Sequence, residues 1–216
     1  MRHIVIDPKK QPDCLKGLYE RGNRYIDLKD DCLTETRAVL LNEQKGYCAY
    51  CEQKFKSVVF IEHYISQSED SSKELDFENF LGICSGKEYF DPKKSPKHIA
   101  YCGDNRGSTK LNIDPKDINH TDQIYYESDG AIRSINDDCD NDLCNVLNLN
   151  FEILKRKREH TFKRNLSNLL TASKLFNWSK DQLYDKGISN SENGLSEFSA
   201  YLKYRYSSLK AKVTQP

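Results

Sequence analysis

The chain is short of several residue types, with one methionine, one tryptophan and six prolines in 216 residues, and its mean hydropathy is −0.79. No run approaches the ~20 consecutive apolar residues that span a bilayer, and the first eight residues lack the apolar core of a signal peptide. We therefore expect a cytoplasmic protein with no membrane segment. In that reducing compartment, eight cysteines are more typical of thiols and metal ligands than of disulfides.

The chain also lacks net charge, since it has 33 basic and 33 acidic side chains. The charges are unevenly distributed, because residues 151–216 contain 13 basic and 6 acidic side chains. Residues 114–142, in contrast, contain nine acidic and two basic side chains. The basic C-terminal third keeps nucleic acid open as a partner, while the acidic stretch could repel nucleic acid, bind a basic partner or form a loop.

The middle of the sequence predicts a mixture of helices and strands. A capped, periodic segment at residues 31–46 predicts a helix, and the β-branched run at residues 58–65 predicts a strand. The apolar segment at residues 75–83 is too short for its pattern to separate strand from helix. Residues 85–97 contain Pro, Gly and several Lys, which predicts a surface insertion.

The two ends differ from this middle. Residues 1–30 contain several Pro and Gly and predict a polar arm with a short strand at residues 3–6. Apolar residues recur at three- and four-residue steps over residues 151–176 and 195–209, which predicts two helices. Residues 186–194 are predicted to be the hinge between them. We expect an α+β protein.

The cysteines suggest a metal site. Cys48 and Cys51 are separated by two residues, a spacing that lets two thiolates in a tight turn face one Zn²⁺. Cys84 and Cys102, which flank the predicted insertion, are the best candidates for the second pair. Such a pair could instead fill apolar space or do redox work. Four cysteines stay unassigned: Cys139 and Cys144, a looser pair, and Cys14 and Cys32, which have no close partner.

A second set of residues follows the first cysteine pair in an order that suits phosphodiester hydrolysis. Glu62 and His63 end the predicted strand, and Asn79 and Asn105 follow later in the chain. Such a reaction needs a base for water, a hard cation at the phosphate and oxygen ligands to hold that cation. The alternative is that His63 simply packs beside a strand.

This order of motifs resembles the HNH endonucleases with the ββα-metal fold, in their zinc-stabilised branch. That branch reads CxxC, an acidic residue and His, Asn before an apolar residue, and a second cysteine pair. Over about residues 46–158 the chain is similar to the retron- and Septu-associated HNH proteins of the PtuB type. The segments that carry this similarity are 47–52 (YCAYCE), 61–64 (IEHY), 79–84 (NFLGIC), 112–115 (NIDP) and 147–150 (LNLN), followed by Leu154 and Arg158.

The resemblance implies a role for each residue. His63 is expected to be the general base, and Glu62 to bind or support a catalytic divalent metal such as Mg²⁺. Asn79 is expected to hold the loop that aims His63. Asn105 is favoured over Asp104 as the helical metal ligand, although either could simply cap a helix.

Two departures from the family pattern concern the second half of the motif. The second cysteine pair of the family is CxxC, whereas 17 residues separate Cys84 from Cys102 in this chain. Cys102 as the fourth ligand of the structural zinc therefore requires the insertion to loop out. The helical metal ligand of the family follows the last cysteine directly, where this chain has Gly103.

Basic residues in the first predicted C-terminal helix suggest a nucleic-acid surface. Several of them could neutralise phosphates, or they could form an ordinary solvated face. The candidates for phosphate contacts are Lys155, Arg156, Arg158, Lys163 and Arg164.

Together, these observations predict three segments: an arm and helix at 1–45, a zinc-braced HNH core at 46–145 and a basic helical region at 146–216. The expected activity is metal-dependent cleavage of DNA or RNA. The resemblance implies anti-phage defence with an ABC-type ATPase partner of the PtuA type. The alternatives are a non-catalytic zinc-ribbon module that binds nucleic acid or protein, and a redox or metal-sensing protein using Cys48 and Cys51.

Overall fold

The computed structural model describes residues 1–56, 58–89, 98–193 and 196–214, and within them the chain is a mixed α+β protein. Its strands form three two-stranded antiparallel sheets, each made of strands that are consecutive in the chain. The strands are β1 (Phe60–His63), β2 (Phe80–Ile83), β3 (Lys87–Tyr89), β4 (His98–Ala100), β5 (Ile124–Tyr126) and β6 (Ile132–Ser134). The helices are α1 (Asp13–Glu20), α2 (Asp30–Glu43), α3 (Cys102–Arg106), α4 (Ile118–Thr121), α5 (Asp137–Asn141), α6 (Glu152–Phe176), α7 (Lys180–Glu192) and α8 (Ser199–Thr214).

The β1–β2 hairpin carries most of the predicted catalytic motif. Its register places Glu62 opposite Leu81 and His63 opposite Phe80. Strand β2 is buried along its whole length. The predicted strand at 58–65 is confirmed in its central four residues, and the apolar segment at 75–83 contains a 3₁₀ turn followed by β2.

The predicted insertion at 85–97 is only partly described. β3 begins at Lys87 and pairs with β4, whose last residue, Ala100, lies opposite it. Residues 90–97 lie outside the described residues. Cys84 and Cys102 flank this segment in the sequence. Because β3 and β4 pair with each other, they bring the two cysteines close together.

The N-terminal segment corrects one expectation. No strand forms at residues 3–6, although the Ile4 amide donates to the Pro115 carbonyl at 2.8 Å. Helix α1 occupies part of the predicted arm, and Leu15 is its buried residue. Helix α2 confirms the predicted helix at 31–46 to within a few residues of each end.

The predicted hinge at 186–194 is wrong over its described part, because α7 runs through it to Glu192. A reciprocal cap starts this helix: Ser179 Oγ accepts from the Gln182 amide at 3.2 Å, and Gln182 Oε1 accepts from the Ser179 amide at 2.9 Å. Gly187 is tolerated in the helix because the Tyr206 ring of α8 packs where a Cβ would stand, 2.6 Å away. Tertiary packing thus overrides the local signal for a break.

Two hydrophobic clusters form the interior. The larger contains residues from all three predicted segments, such as Ile4, Tyr50 and Tyr206, so the core is continuous across the predicted limits at 45 and 145. The smaller joins α1 and α2 to the hairpin and contains Leu15, Leu28, Leu40, Leu75, Phe77 and Phe80. Among the described residues, no helix combines the length and apolar character needed to cross a membrane.

Cys14 and Cys32, which the sequence left without a partner, form a disulfide between α1 and α2. The expectation that the cysteines are free thiols or metal ligands is therefore wrong for this pair. The reason lies in the fold, because α1 and α2 pack together around Leu15 and Leu40 and bring the two Cα atoms to 5.8 Å.

Candidate zinc centre and histidine site

The four predicted zinc ligands converge on one point. Their sulfur atoms all lie within 4.8 Å of one another, and the distances are 3.9 Å for Cys48–Cys102, 3.7 Å for Cys51–Cys84 and 3.9 Å for Cys84–Cys102. In a tetrahedral site with a Zn–S distance of ~2.3 Å, sulfur atoms lie about 3.8 Å apart. The spacing therefore fits a structural zinc ion. Cys102 belongs to the cluster despite the 17 residues that separate it from Cys84.

Local structure places each of these cysteines. Cys48 and Cys51 lie in a tight turn in which the Cys48 carbonyl accepts from the Glu52 amide at 3.1 Å. Cys84 follows β2 directly, and Cys102 begins α3. One metal ion would thus join the turn after α2, the hairpin and α3.

The electrostatics of the cluster are compatible with a bound cation. Burial raises the pKa of the Cys48 and Cys102 thiols, whereas hydrogen bonds from Cys102 and its neighbours lower the pKa of Cys84. Four thiolates buried this close together would need a compensating charge, which Zn²⁺ would supply while favouring sulfur ligands. Gln53 also donates to Cys51 Sγ at 3.5 Å, which orients that ligand.

His63 is held in one orientation by the loop that follows β1. Its Nε2 lies 2.9 Å from the Glu74 carbonyl oxygen, which can only accept, so Nε2 carries the proton and Nδ1 is the basic nitrogen. The longer contact with the Gln67 amide, at 3.4 Å, is too weak to compete. Burial lowers the pKa of His63, so the ring is neutral near pH 7. A neutral imidazole with a fixed tautomer suits a general base.

Asn79 clamps the same loop. Its Oδ1 accepts from the Ile65 amide at 2.7 Å, and its Nδ2 donates to the carbonyls of Ile65 at 2.9 Å and Lys73 at 3.1 Å. The side chain is buried, with 4% exposed. It therefore connects both ends of the loop between His63 and Glu74, a position that suits the predicted holding role.

Glu62 lies beside a buried arginine. Arg106 Nη1 donates to Glu62 Oε1 at 2.6 Å, and the Tyr50 hydroxyl donates to the same oxygen at 3.3 Å. Arg106 also donates to the backbone carbonyls of His63 at 2.9 Å, Tyr64 at 2.6 Å and Thr109 at 2.8 Å. Burial raises the pKa of Glu62 and outweighs the opposing effect of Arg106. Arg106 thus attaches α3, which begins with a zinc ligand, to the strand that bears His63.

The other oxygen of Glu62 faces Gly103. A Cβ at position 103 would stand 2.9 Å from Glu62 Oε2 and 2.3 Å from Ile83 Cδ1, so glycine lets α3 pack closely against the carboxylate and Ile83. A carboxylate oxygen is a ligand that hard divalent cations favour. Within the described ranges, however, the four cysteines are the only place where three or more His, Cys, Asp or Glu ligand atoms converge.

The two candidate helical ligands are both exposed. Asn105 Nδ2 donates to the carbonyls of Asn145 and Val146, both at 3.0 Å, so its amide nitrogen holds α3 against the segment before α6. Asp104 forms an ion pair with Lys87 at 3.5 Å. Neither residue caps α3, because the residue before the helix is Tyr101.

The basic residues of α6 divide between two faces. Arg158 is buried and donates to the carbonyls of Gly130 and Leu149, both at 3.0 Å, so its predicted contact with phosphate is wrong. It lies on the apolar side of the helix, with Leu154 and Phe162. Lys155 is mostly covered and pairs with Asp129 at 2.7 Å.

The other three predicted phosphate contacts, Arg156, Lys163 and Arg164, lie on the opposite, exposed face of α6. Residues four, seven and eight positions apart on a helix share one face, and these form an exposed basic stripe of Arg156, His160, Lys163 and Arg164. Arg156 pairs with Glu152 at 2.7 Å and Lys163 with Glu159 at 3.6 Å, yet both basic side chains are about three-quarters exposed. Because exposed ion pairs of this kind contribute little free energy, replacing them by contacts with phosphate costs little.

Three residues around His63 were missed at the sequence level. Arg106 directly follows the candidate ligand Asn105, and nothing nearby in the sequence indicates that it is buried. Glu74 lies in a polar loop, and its contact with His63 uses a backbone carbonyl, which no residue pattern reveals. Tyr25 comes from the predicted arm, and its ring lies against His63.

A cavity of about 790 Å³ lies elsewhere, between the N-terminal residues and α8, and contains none of the predicted site residues. A scan against protein-family models found no match for this chain, and a search of curated proteins found none either.

Proposed function

We propose that the protein is a zinc-braced, metal-dependent HNH endonuclease that hydrolyses phosphodiester bonds of DNA or RNA. The observation that carries this proposal is His63, whose Nε2–H is bound to the Glu74 carbonyl so that its Nδ1 remains basic. Supporting it, the cysteine cluster joins the β1–β2 hairpin to α3, which comes after β3 and β4 in the chain.

In the proposed reaction, His63 Nδ1 takes a proton from the water that attacks phosphorus. The Glu74 carbonyl stabilises the resulting imidazolium through Nε2–H, and Asn79 keeps the loop in place during the transfer. Glu62 would hold a divalent cation such as Mg²⁺, with Asn105 as the second proposed ligand. Such a cation would supply charge stabilisation for the phosphate and the leaving oxygen.

Replacing His63 is expected to lower the cleavage rate at least about a hundredfold, because general-base catalysis contributes 10²–10⁴-fold. His63→Gln is the sharpest variant, since its amide can still donate to the Glu74 carbonyl but cannot take a proton. Cleavage of supercoiled plasmid and of tRNA, each with Mg²⁺ and with EDTA, measures the effect.

The matched control is His120→Ala, another partly buried histidine, whose Nδ1 accepts from the Asp114 amide. This variant should cleave like the wild type. Full activity of a folded His63→Gln protein, judged by circular dichroism, contradicts the catalytic assignment.

The basic stripe on α6 is the proposed phosphate-binding surface. Reversing the charges of Arg156, Lys163 and Arg164 to Glu is expected to weaken nucleic-acid binding and to reduce the slope of log K against log [salt] by about 2 to 3. The binding should be measured by fluorescence anisotropy over a salt series.

A control with the same charge change separates this surface from a general effect. It reverses three exposed lysines farther along the chain, Lys174, Lys180 and Lys186. Equal slopes for the two triple variants would show that the stripe is an ordinary solvated face.

The setting of this activity follows from the resemblance to the PtuB type. We propose anti-phage defence, with an ABC-type ATPase of the PtuA type as partner. Two observations favour a second candidate, a zinc-ribbon module: Glu62 Oε1 is already paired with Arg106, and His63 lies between aromatic rings. Binding of nucleic acid without cleavage, by the wild type with or without the ATPase, would support that candidate.

A further inference from the structure

We propose that Tyr25, from the N-terminal segment, is a positioning residue for His63; this inference rests on the proposed function of His63 as the base. Tyr25 lies 38 residues before His63 in the chain, outside the segment predicted to be the nuclease core. The N-terminal segment thereby completes the site.

Two aromatic rings hold the imidazole of His63. The Tyr25 ring meets it at a centroid distance of 4.6 Å and an interplanar angle of 79°. The Phe80 ring meets it at 5.1 Å and 86°. Both contacts are edge-to-face, a geometry that restricts rotation of the imidazole ring. Phe80 is fixed by its position in β2 opposite His63. The second ring contact comes from Tyr25, in a different part of the chain.

Glu74 couples the position of Tyr25 to that of His63. Its Oε2 accepts from the Tyr25 amide at 3.1 Å, and its Oε1 accepts from the Arg24 guanidinium. Its backbone carbonyl accepts from His63 Nε2. One buried residue therefore places both the hydrogen-bond acceptor of the imidazole and the backbone of the tyrosine that packs against it.

The segment that carries Tyr25 is itself restrained. Tyr25–Asp27 is a 3₁₀ turn, in which Asp27 accepts from the Arg24 amide at 2.9 Å. The Cys14–Cys32 disulfide closes the loop that contains this turn. Because this turn is capped and lies within a disulfide-closed loop, Tyr25 is restrained enough to hold the His63 ring in place.

The test replaces Tyr25 by Leu and by Phe. Tyr25→Leu keeps an apolar side chain but loses the ring edge, and kcat is expected to fall between about tenfold and about a hundredfold with KM within about twofold. Tyr25→Phe keeps the ring and should restore kcat to within about twofold of wild type. Tyr19→Leu, at an exposed tyrosine of the same segment, is the control and should retain full activity.

A second readout does not depend on cleavage. The ¹⁵N chemical shifts of the His63 imidazole report which nitrogen carries the proton, and wild type should show the Nε2–H form. Tyr25→Leu should show a mixture of the two neutral forms, whereas Tyr25→Phe should not. If the wild type cleaves but Tyr25→Leu keeps its kcat, the positioning role is wrong. If the wild type never cleaves, the proposed function fails, and unchanged shifts in Tyr25→Leu then overturn the positioning role separately.

Discussion

Replacing a single zinc ligand, as in Cys48→Ser, is expected to unfold the protein around the hairpin and to abolish zinc binding. Structural zinc contributes an apparent 10–16 kcal/mol in small zinc-binding domains, and a domain of ordinary stability has about 5–15 kcal/mol in total. The ion here would join three parts of the chain, so its loss leaves the turn, β2 and α3 without their common attachment. Metal analysis by mass spectrometry and thermal unfolding by circular dichroism measure both effects.

Cys144→Ser is the matched control, because Cys144 is a partly exposed cysteine outside the cluster. Its sulfur accepts from Asn150 Nδ2 at 3.1 Å, and a serine oxygen can accept in the same way. This variant should keep about one zinc per chain and the wild-type melting temperature. A Cys48→Ser protein that stays folded, or a wild-type protein whose thiols titrate freely without bound metal, contradicts the zinc centre and favours the redox alternative.

Arg106→Met is expected to lower the free energy of unfolding by about 3–5 kcal/mol, because it leaves the largely buried Glu62 carboxylate without its charged partner. The carbonyls of His63 and Tyr64 lose their donors at the same time. Since Arg106 is 2% exposed, water does not replace those donors without rearrangement. Urea unfolding of the zinc-loaded protein measures the change.

Two comparisons test whether the loss of stability in Arg106→Met comes from its buried ion pair or would follow from replacing any arginine. In Arg133→Met it is Asp140 that loses its partner. This pair is partly exposed, so the free energy of unfolding should fall by at most about 1 kcal/mol. Adding Glu62→Gln to Arg106→Met should recover part of the lost stability, because the unpaired charge is removed. Equal costs for the two arginine variants would mean that the buried pair contributes nothing beyond an exposed one.

The cysteine cluster was largely predictable from the sequence. The CxxC spacing of Cys48 and Cys51 is a local property, and a tight turn is enough to aim both sulfurs at one point. Cys84 and Cys102 were harder, since their pairing depends on β3 and β4 closing the segment between them. The fourth ligand therefore followed from the family resemblance and from the position of the insertion.

Other features could not be predicted because they depend on distant contacts. Arg106 and Arg158 are both buried, and their hydrogen bonds go mostly to backbone carbonyls, which every residue possesses. A sequence pattern therefore does not reveal them, and Arg158 looked like one more cation in a basic run. The prediction of a hinge was wrong for a related reason. Glycine disfavours a helix by its local propensity, but Gly187 lies in α7 because the Tyr206 ring packs against it.

By itself, the sequence determined the kinds of element present, the absence of long apolar runs and the cysteine spacing that suits zinc. These are local properties, set by neighbours within a few residues. Only the tertiary structure decided that Cys14 meets Cys32, and that Tyr25 and Glu74 surround His63. Such contacts join residues 11 to 38 positions apart, and they form only when α1, α2 and the hairpin pack around the smaller hydrophobic cluster.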